Sequence, residues 1–525
     1  MNGARPAIAA ERRAPFTRLQ LLQLSLVLIL ACRTAYLATI WFAGVPGATR
    51  FRIETSAVWL VALGLLLAWT RRQSAEALAE PASATWPAWT ALLWCAAAIA
   101  LYLPVLSVGF LSDDFVLARH ARLAEFGAFN PDAFRPLPLI AWDLLLAVGG
   151  GASSIHVLNI VLHGLVAYLT VRIASAFVGR AWAIAAGLLV LTFPLAPEAV
   201  AWSSGVFDVA ATCLVLSTIV VARGYDRTPS VCRRLAFFAF GAAAVLCKET
   251  ALVLPALILL DALARRSFPK GIVLDSSILM AAAGTIGVVR LAFASATIKQ
   301  PITKYLVQRW IFETVGALVA PMHIDVIRSR PLLPVAEALV LLGLLTLFLA
   351  GRHGTGVLRA AGAYAAFGLS ATLPAITIFI VAPDLQQSRY VYLAAIGYAV
   401  VLVICAASVA RTNTLLRAVA VAVLGVVLAI NTTALRAQQR PWVEAGRLRD
   451  AVIRAFASDS RIHQCPSVVL SDLPDNYRGA YIFRNGAPEA LASPPVVVVN
   501  SIEAAPGPCS FAWNAERRQF VAGSR

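Results

Sequence analysis

Apolar runs of membrane-spanning length alternate along this chain with short stretches that hold most of its arginines. Nothing else in the sequence restricts the possible folds so strongly, because many spans joined by short basic loops leave no soluble core to build. A span needs about 20 apolar residues. Candidate runs fall near 19–43, 56–70, 88–108, 155–177, 181–197, 201–222, 235–262, 275–294, 303–321, 333–350, 356–381, 390–410 and 415–433. The expected fold is therefore an all-α polytopic membrane protein with about 13 transmembrane helices. Composition agrees: 60% of the residues are apolar and 14% charged, where soluble domains carry about a quarter charged residues.

A net charge of +17 raises the question of nucleic acid, and the pattern excludes it. Nucleic-acid binders gather Lys and Arg on one soluble face, whereas here the basic residues punctuate apolar segments, as the positive-inside rule expects. Lysine occurs only at 248, 270, 299 and 304. An Ala- and Arg-rich chain with so little lysine suggests a GC-rich bacterial genome, and hence the bacterial inner membrane.

The first run is too long for a signal-peptide core and reads as a span, with Arg12, Arg13 and Arg18 holding the N-terminus in the cytoplasm. The loops with Arg71 and Arg72, with Arg223, Arg227, Arg233 and Arg234, with Arg352, His353 and Arg359, and with Arg411 and Arg417 are then cytoplasmic. Residues 109–154, 321–332, 382–389 and the tail from about 434 face the other side. Arg265, Arg266 and Lys270 fall on the wrong side. Splitting 235–262 into a hairpin would correct them but invert every later loop. Three regions result: a cytoplasmic arm with two extra spans (1–87), a transmembrane core (88–433) with a long outer loop at 109–154, and a small α+β extracytoplasmic domain (434–525).

The 109–154 loop mixes charge with apolar stretches such as Leu137–Val148 and suits one or two helices lying at the membrane interface. In the tail, Ser467–Leu470 and Pro495–Asn500 read as strands and Asn485-Gly486 as a turn. Cys465 and Cys509 are placed to form a disulfide there, or to remain two free thiols. The cysteines of the apolar runs read as small buried hydrophobes.

Ionisable groups in a bilayer cost about 2.5–3.5 kcal/mol each on insertion scales, so those that persist usually line a polar cavity. Five groups stand near outer span ends. Asp113-Asp114 is a carboxylate pair suited to a general base, a metal ligand or a helix cap. Arg135 precedes Pro136, and His156, Asn159 and His163 share one helical face, for a substrate or for packing. Seven residues, roughly 10 Å, separate the two histidines, too far for one metal. Glu198 lies at an outer helix end and Asp208 about two turns into the next span. Lys248-Glu249 interrupts a long apolar run. Arg389-Tyr390 begins a late span, where the guanidinium could hold a phosphate bidentately or snorkel to the interface.

Taken in order, Asp113-Asp114-Phe115, Arg135-Pro136-Leu137, His156-x-x-Asn159-x-x-x-His163, Pro197-Glu198-Ala199-Val200-Ala201-Trp202, Lys248-Glu249-Thr250 and Arg389-Tyr390-x-Tyr392 resemble the polytopic type-C (GT-C fold) glycosyltransferases. The likeness covers about 88–410 and is nearest the tetratricopeptide-repeat O-mannosyltransferases and their bacterial relatives. It implies a polyprenyl-phosphate sugar donor used on the non-cytoplasmic face. It also implies an essential acid at Asp113 or Asp114, with the lean toward Asp113. By the same likeness Lys248 and Arg389 can hold the donor phosphate, and Glu198 and His163 line the cavity wall; Arg135, Asp208, Glu249 and Tyr390 complete the candidate site. The family's repeat array is absent, so the likeness implies no protein acceptor, and glycan, lipid and protein all stay open. The expected reaction is an inverting sugar transfer. No cofactor is required; a divalent cation, if used, would be a hard ion such as Mg²⁺ or Mn²⁺ on Asp113 and Asp114. The rival reading is a transporter or flippase for an anionic lipid-linked substrate, disfavoured by the absence of a visible internal repeat.

Overall fold

Where side chains are this apolar, backbone amides and carbonyls have to be satisfied within their own segment, and the chain answers with helices. A computed structural model describes residues 86–125, 135–227, 230–268, 270–293, 303–351, 353–376, 380–499 and 507–522. The expected spans at 19–43 and 56–70 lie outside the described residues.

The principal helices are α1 (Thr90–Tyr102), α2 (Asp113–Arg122), α3 (Pro136–Ala147), α4 (Ala152–Ala174), α5 (Arg180–Leu191), α6 (Pro197–Ala201), α7 (Val206–Arg227), α8 (Val231–Cys247), α9 (Leu254–Arg265), α10 (Lys270–Phe293), α11 (Leu332–Ala350), α12 (Thr355–Thr372), α13 (Ala394–Ala410) and α14 (Thr414–Ser458). Five stretches among the described residues are long and apolar enough to cross a membrane: Thr90–Ser107, Ala152–Ala174, Ser203–Gly224, Leu332–Ala350 and Thr414–Ser458. They coincide with five of the expected runs. Among the described residues, helices of that kind do not reach the full count of about 13. The runs at 181–197 and 390–410 give helices of 12 and 17 residues, and 303–321 breaks into Lys304–Arg309, a π-helical turn and Gly316–Val319.

The expected span at 235–262 is two helices. Lys248 is extended (φ −162°, ψ 145°) and ends α8; a short 3₁₀ turn and Pro255, which needs no donor in a first turn, start α9. The two form a hairpin. Asp261 near the end of α9 takes Arg223 of α7 and Arg265 in ion pairs, and Asp275 near the start of α10 takes Arg234 of α8 at 2.8 Å. Arg223, Arg234 and Arg265 thus share one end of the bundle. The run at 303–321 lies against the end of α12 and the segment after it. Trp310 Nε1 donates to Thr372 at the far end of α12, and Val381 N donates to Thr314.

The expected boundary at 433/434 is no break in the chain. It falls inside α14, a single helix of 45 residues, about 68 Å long, which runs out of the bundle and carries the tail. The tail holds β1 (Val468–Ser471), β2 (Asn476–Tyr477), β3 (Ala480–Tyr481), β4 (Val496–Val498), β5 (Ser510–Asn514) and β6 (Gln519–Ala522). Four strands form a mixed sheet in the order β4-β1-β5-β6, with β1 parallel to both neighbours and β5–β6 antiparallel. The two runs read as strands are β1 and β4, and Cys465 is bonded to Cys509.

Two tail glycines press against the core. Gly486 (φ +76°) sits where a Cβ would lie 2.4 Å from the Ser112 carbonyl oxygen, and Gly479 (φ +84°) where it would lie 2.1 Å from that of Asp384. Both positions require a residue without a side chain.

Candidate active site at the junction of core and tail

The Asp113-Asp114 pair opens α2 at a strained turn. Ser112 adopts φ 50°, ψ −120°, a conformation that L-residues rarely take and that surrounding contacts must enforce. Its amide donates to Ile482 of the tail at 2.8 Å, and its hydroxyl accepts from Asn485 N. The turn sends the two carboxylates in different directions. Asp114 is fully buried. Its Oδ2 accepts from Leu111 N at 2.9 Å and its Oδ1 from Ser204 N at 2.8 Å and from the Ser204 hydroxyl. Burial pushes this carboxyl up to about 7 against the pull of those hydrogen bonds. Asp113 stays half-exposed. Its Oδ1 accepts from Asn485 Nδ2 at 2.6 Å, and its Oδ2 has no partner among the described residues.

A second cluster is built from ion pairs. Lys248 Nζ donates to Asp208 Oδ1 at 2.5 Å and lies 4.1 Å from the centre of the Tyr390 ring. Arg135 holds Glu249 through both carboxylate oxygens, the Nε bond measuring 2.8 Å. Arg389 donates to Glu198 at 2.7 Å, reaches toward Asp208 at 3.9 Å, and stacks over Trp202 and Tyr390 at 4.6 and 5.0 Å. Cations and carboxylates balance. The Lys248-Glu249 break in the α8–α9 hairpin is what brings both charges here: an uninterrupted helix would point two consecutive side chains to different faces. Asp208 Oδ2 is buried and makes no hydrogen bond among the described residues.

Glu198 is the most heavily occupied of the group. It accepts from Gln387 N, Ser388 Oγ, Arg389 N, Arg389 Nη1 and Tyr481 Oη at 2.7–3.2 Å. It fastens the 387–389 turn and the tail to α6. His163 is buried; it is hydrogen-bonded to Tyr392 Oη at 2.6 Å and to the Leu191 carbonyl at 3.1 Å. His156 reaches the Gly109 carbonyl, and Asn159 those of Trp202 and Ser203. All three side chains of that face bond to neighbouring segments of the chain.

Trp202 joins the two clusters. Its Nε1 donates to the Leu111 carbonyl beside Asp114, while its ring faces Arg389 and lies 4.7 Å from Tyr481. Among the described residues no three His, Cys, Asp or Glu gather as a metal set. With both oxygens of Asp114 already taken, Asp113 is the member of the pair with an oxygen open to a divalent ion.

No protein-family profile matches the chain. Protein O-mannosyl-transferase Tmtc2 of Drosophila melanogaster is 31% identical over 194 residues, 31% of this chain and 20% of the relative. Protein O-mannosyl-transferase TMTC2 of Mus musculus is 30% identical over 161 residues, 26% and 19% of the two chains. The chain is similar to the O-mannosyl-transferases. That agrees with the likeness drawn from the motif order, although the chain spans about a fifth of the length of the curated O-mannosyl-transferases it matches. Crystal structures of ArnT from Cupriavidus metallidurans, bound to undecaprenyl phosphate and in the apo state, cover 79% and 78% of this chain and 87% and 85% of their own. Their TM-scores are 0.44 and 0.39, at 14% and 16% identity, too loose a likeness to carry an argument.

Tyr481 was not singled out in the sequence, and Asn485 was read only as half of an Asn-Gly turn; no local pattern marks either as part of a site. Trp202 lay within a quoted motif, yet nothing in its neighbours distinguishes it from a packing aromatic.

Proposed function

We propose that the chain is a membrane glycosyltransferase of the bacterial inner membrane. It moves a sugar from a polyprenyl-phosphate carrier to an acceptor hydroxyl, on the side of the bilayer where the tail sits. The observation that carries this reading is the division of labour within the carboxylate pair: Asp114 is buried and committed to three donors, while Asp113 is accessible and keeps one oxygen uncommitted. A general base needs that access and that free lone pair.

In the proposed reaction Asp113 takes the proton of the acceptor hydroxyl. The acceptor oxygen bonds to the anomeric carbon from the face opposite the carrier, so configuration inverts. The bond from that carbon to the phosphate oxygen breaks, and the polyprenyl phosphate leaves with the electron pair. Arg389, Lys248 and Arg135 are the cations available to its charge. Each is already paired, so the phosphate joins a balanced ion network instead of meeting a bare charge. Asp114, Glu198 and His163 position the elements that carry these groups.

The test is donor consumption in membranes, across a panel of polyprenyl-phosphate sugars. Loss of one donor with release of polyprenyl phosphate supports the reading. No consumption, together with passage of such lipids across the bilayer that depends on Lys248 and Arg389, replaces it with the transporter.

A further inference from the structure

We infer that the acceptor is an anionic membrane lipid, held in a groove between α2 and the tail. This rests on the glycosyltransferase reading and names its second substrate. The groove has a volume of about 770 Å³ and begins two residues after Asp113. Phe115, Ala118, Arg119 and Arg122 line one wall at the spacing of a single helical face. Phe110 and Val496 close the apolar floor, and Phe110 is itself stacked on Trp142 at 5.7 Å.

Two observations select the occupant. The first is charge. Arg119 is 63% exposed and 3.6 Å from Glu489 on the opposite wall, an exposed pair of little strength. Arg122 is exposed and has no partner among the described residues. An apolar trough with two guanidinium groups on its rim fits an amphiphile with an anionic head. The second is position. Leu123 just past the end of α2, Leu144 on α3 and Val148 just past the end of α3 are 55%, 63% and 82% exposed, a degree of apolar exposure that belongs against lipid rather than water. A molecule entering this groove comes from the bilayer surface. Its chains lie on Phe110, Phe115 and Val496, its charge meets Arg119 and Arg122, and a headgroup hydroxyl reaches the neighbourhood of Asp113.

The test uses the full chain in nanodiscs containing a diazirine-bearing phosphatidylglycerol or the matching phosphatidylcholine, with crosslinked peptides mapped by mass spectrometry. The expected result is preferential labelling of 110–123 and 488–496 by phosphatidylglycerol, falling about tenfold or more in the Arg119→Glu/Arg122→Glu double variant. Ala118→Trp, which fills the groove, should reduce labelling by both lipids. Equal labelling by the two lipids, indifference to charge reversal, or displacement of the lipid by an acidic peptide would overturn the assignment. Donor consumption is followed in the same samples. If it is absent while selective labelling persists, the glycosyltransferase reading fails and the groove remains an anionic-lipid site. If it is present without labelling, only the acceptor is wrong.

Discussion

Asn485 Nδ2 donates to Asp113 Oδ1 at 2.6 Å, linking the tail to the proposed base across 372 residues of sequence. Hydrogen bonds to charged groups are worth about 1.5–3 kcal/mol. Asn485→Ala should therefore lower kcat by about 10- to 100-fold. Because Asn485 orients the base without touching the donor, KM for the donor should stay within about twofold. Steady-state kinetics separate the two, and a change confined to KM would remove Asn485 from this role.

Asp114 should behave differently from its neighbour. Asn at 114 offers one acceptor oxygen where three donors converge, and turns an amide N–H toward a backbone N–H. Unsatisfied buried groups cost about 1–3 kcal/mol each. Asp114→Asn should lower the melting temperature of the purified protein measurably, whereas Asp113→Asn should leave it nearly unchanged.

The same residue predicts a pH dependence. Its carboxyl moves from an ordinary 3.8 to about 7 in the folded protein. Below about 3.8 both folded and unfolded chains hold the proton. Between there and about 7 the folded chain keeps it while the unfolded chain has lost it, so this group's contribution to stability falls as pH rises through that window and levels off above it. Melting temperatures recorded from pH 4 to 8 should show this decline, and Asp114→Asn should flatten it.

How far these features could be read from the sequence depended on the distance between partners. The five long helices and the strands of the tail followed from runs that local periodicity carries, whereas the Cys465–Cys509 bond was one of two alternatives that the sequence left open. The α8–α9 break entered only as an alternative that would relocate Arg265, Arg266 and Lys270, because two charged residues scarcely change the hydropathy of a long apolar run. What makes the break stable lies elsewhere: Asp208, 40 residues from Lys248, and Arg135, 114 residues from Glu249. The tail's grip on the site through Tyr481, Asn485 and Gly486 is equally tertiary, and the continuous α14 hid it further by placing the apparent boundary inside a helix.

Lys248 and Asp208 form a buried pair, and removing one partner strands the other. Breaking such a pair costs about 3–5 kcal/mol, while replacing both with apolar residues is often far milder. Lys248→Met and Asp208→Leu should each destabilise strongly, and the double variant should recover much of the loss. A double-mutant cycle on melting in detergent reads the coupling directly; additive losses would show that the two charges act independently.

The central claim is that Asp113 takes the acceptor's proton. The direct measurement is the single-turnover rate of sugar transfer from a polyprenyl-phosphate donor, with donor affinity followed in parallel, for the native chain and for Asp113→Asn. The account predicts a rate reduced by about 100-fold or more, with donor affinity and melting temperature retained. A variant that transfers sugar at the native rate would contradict it.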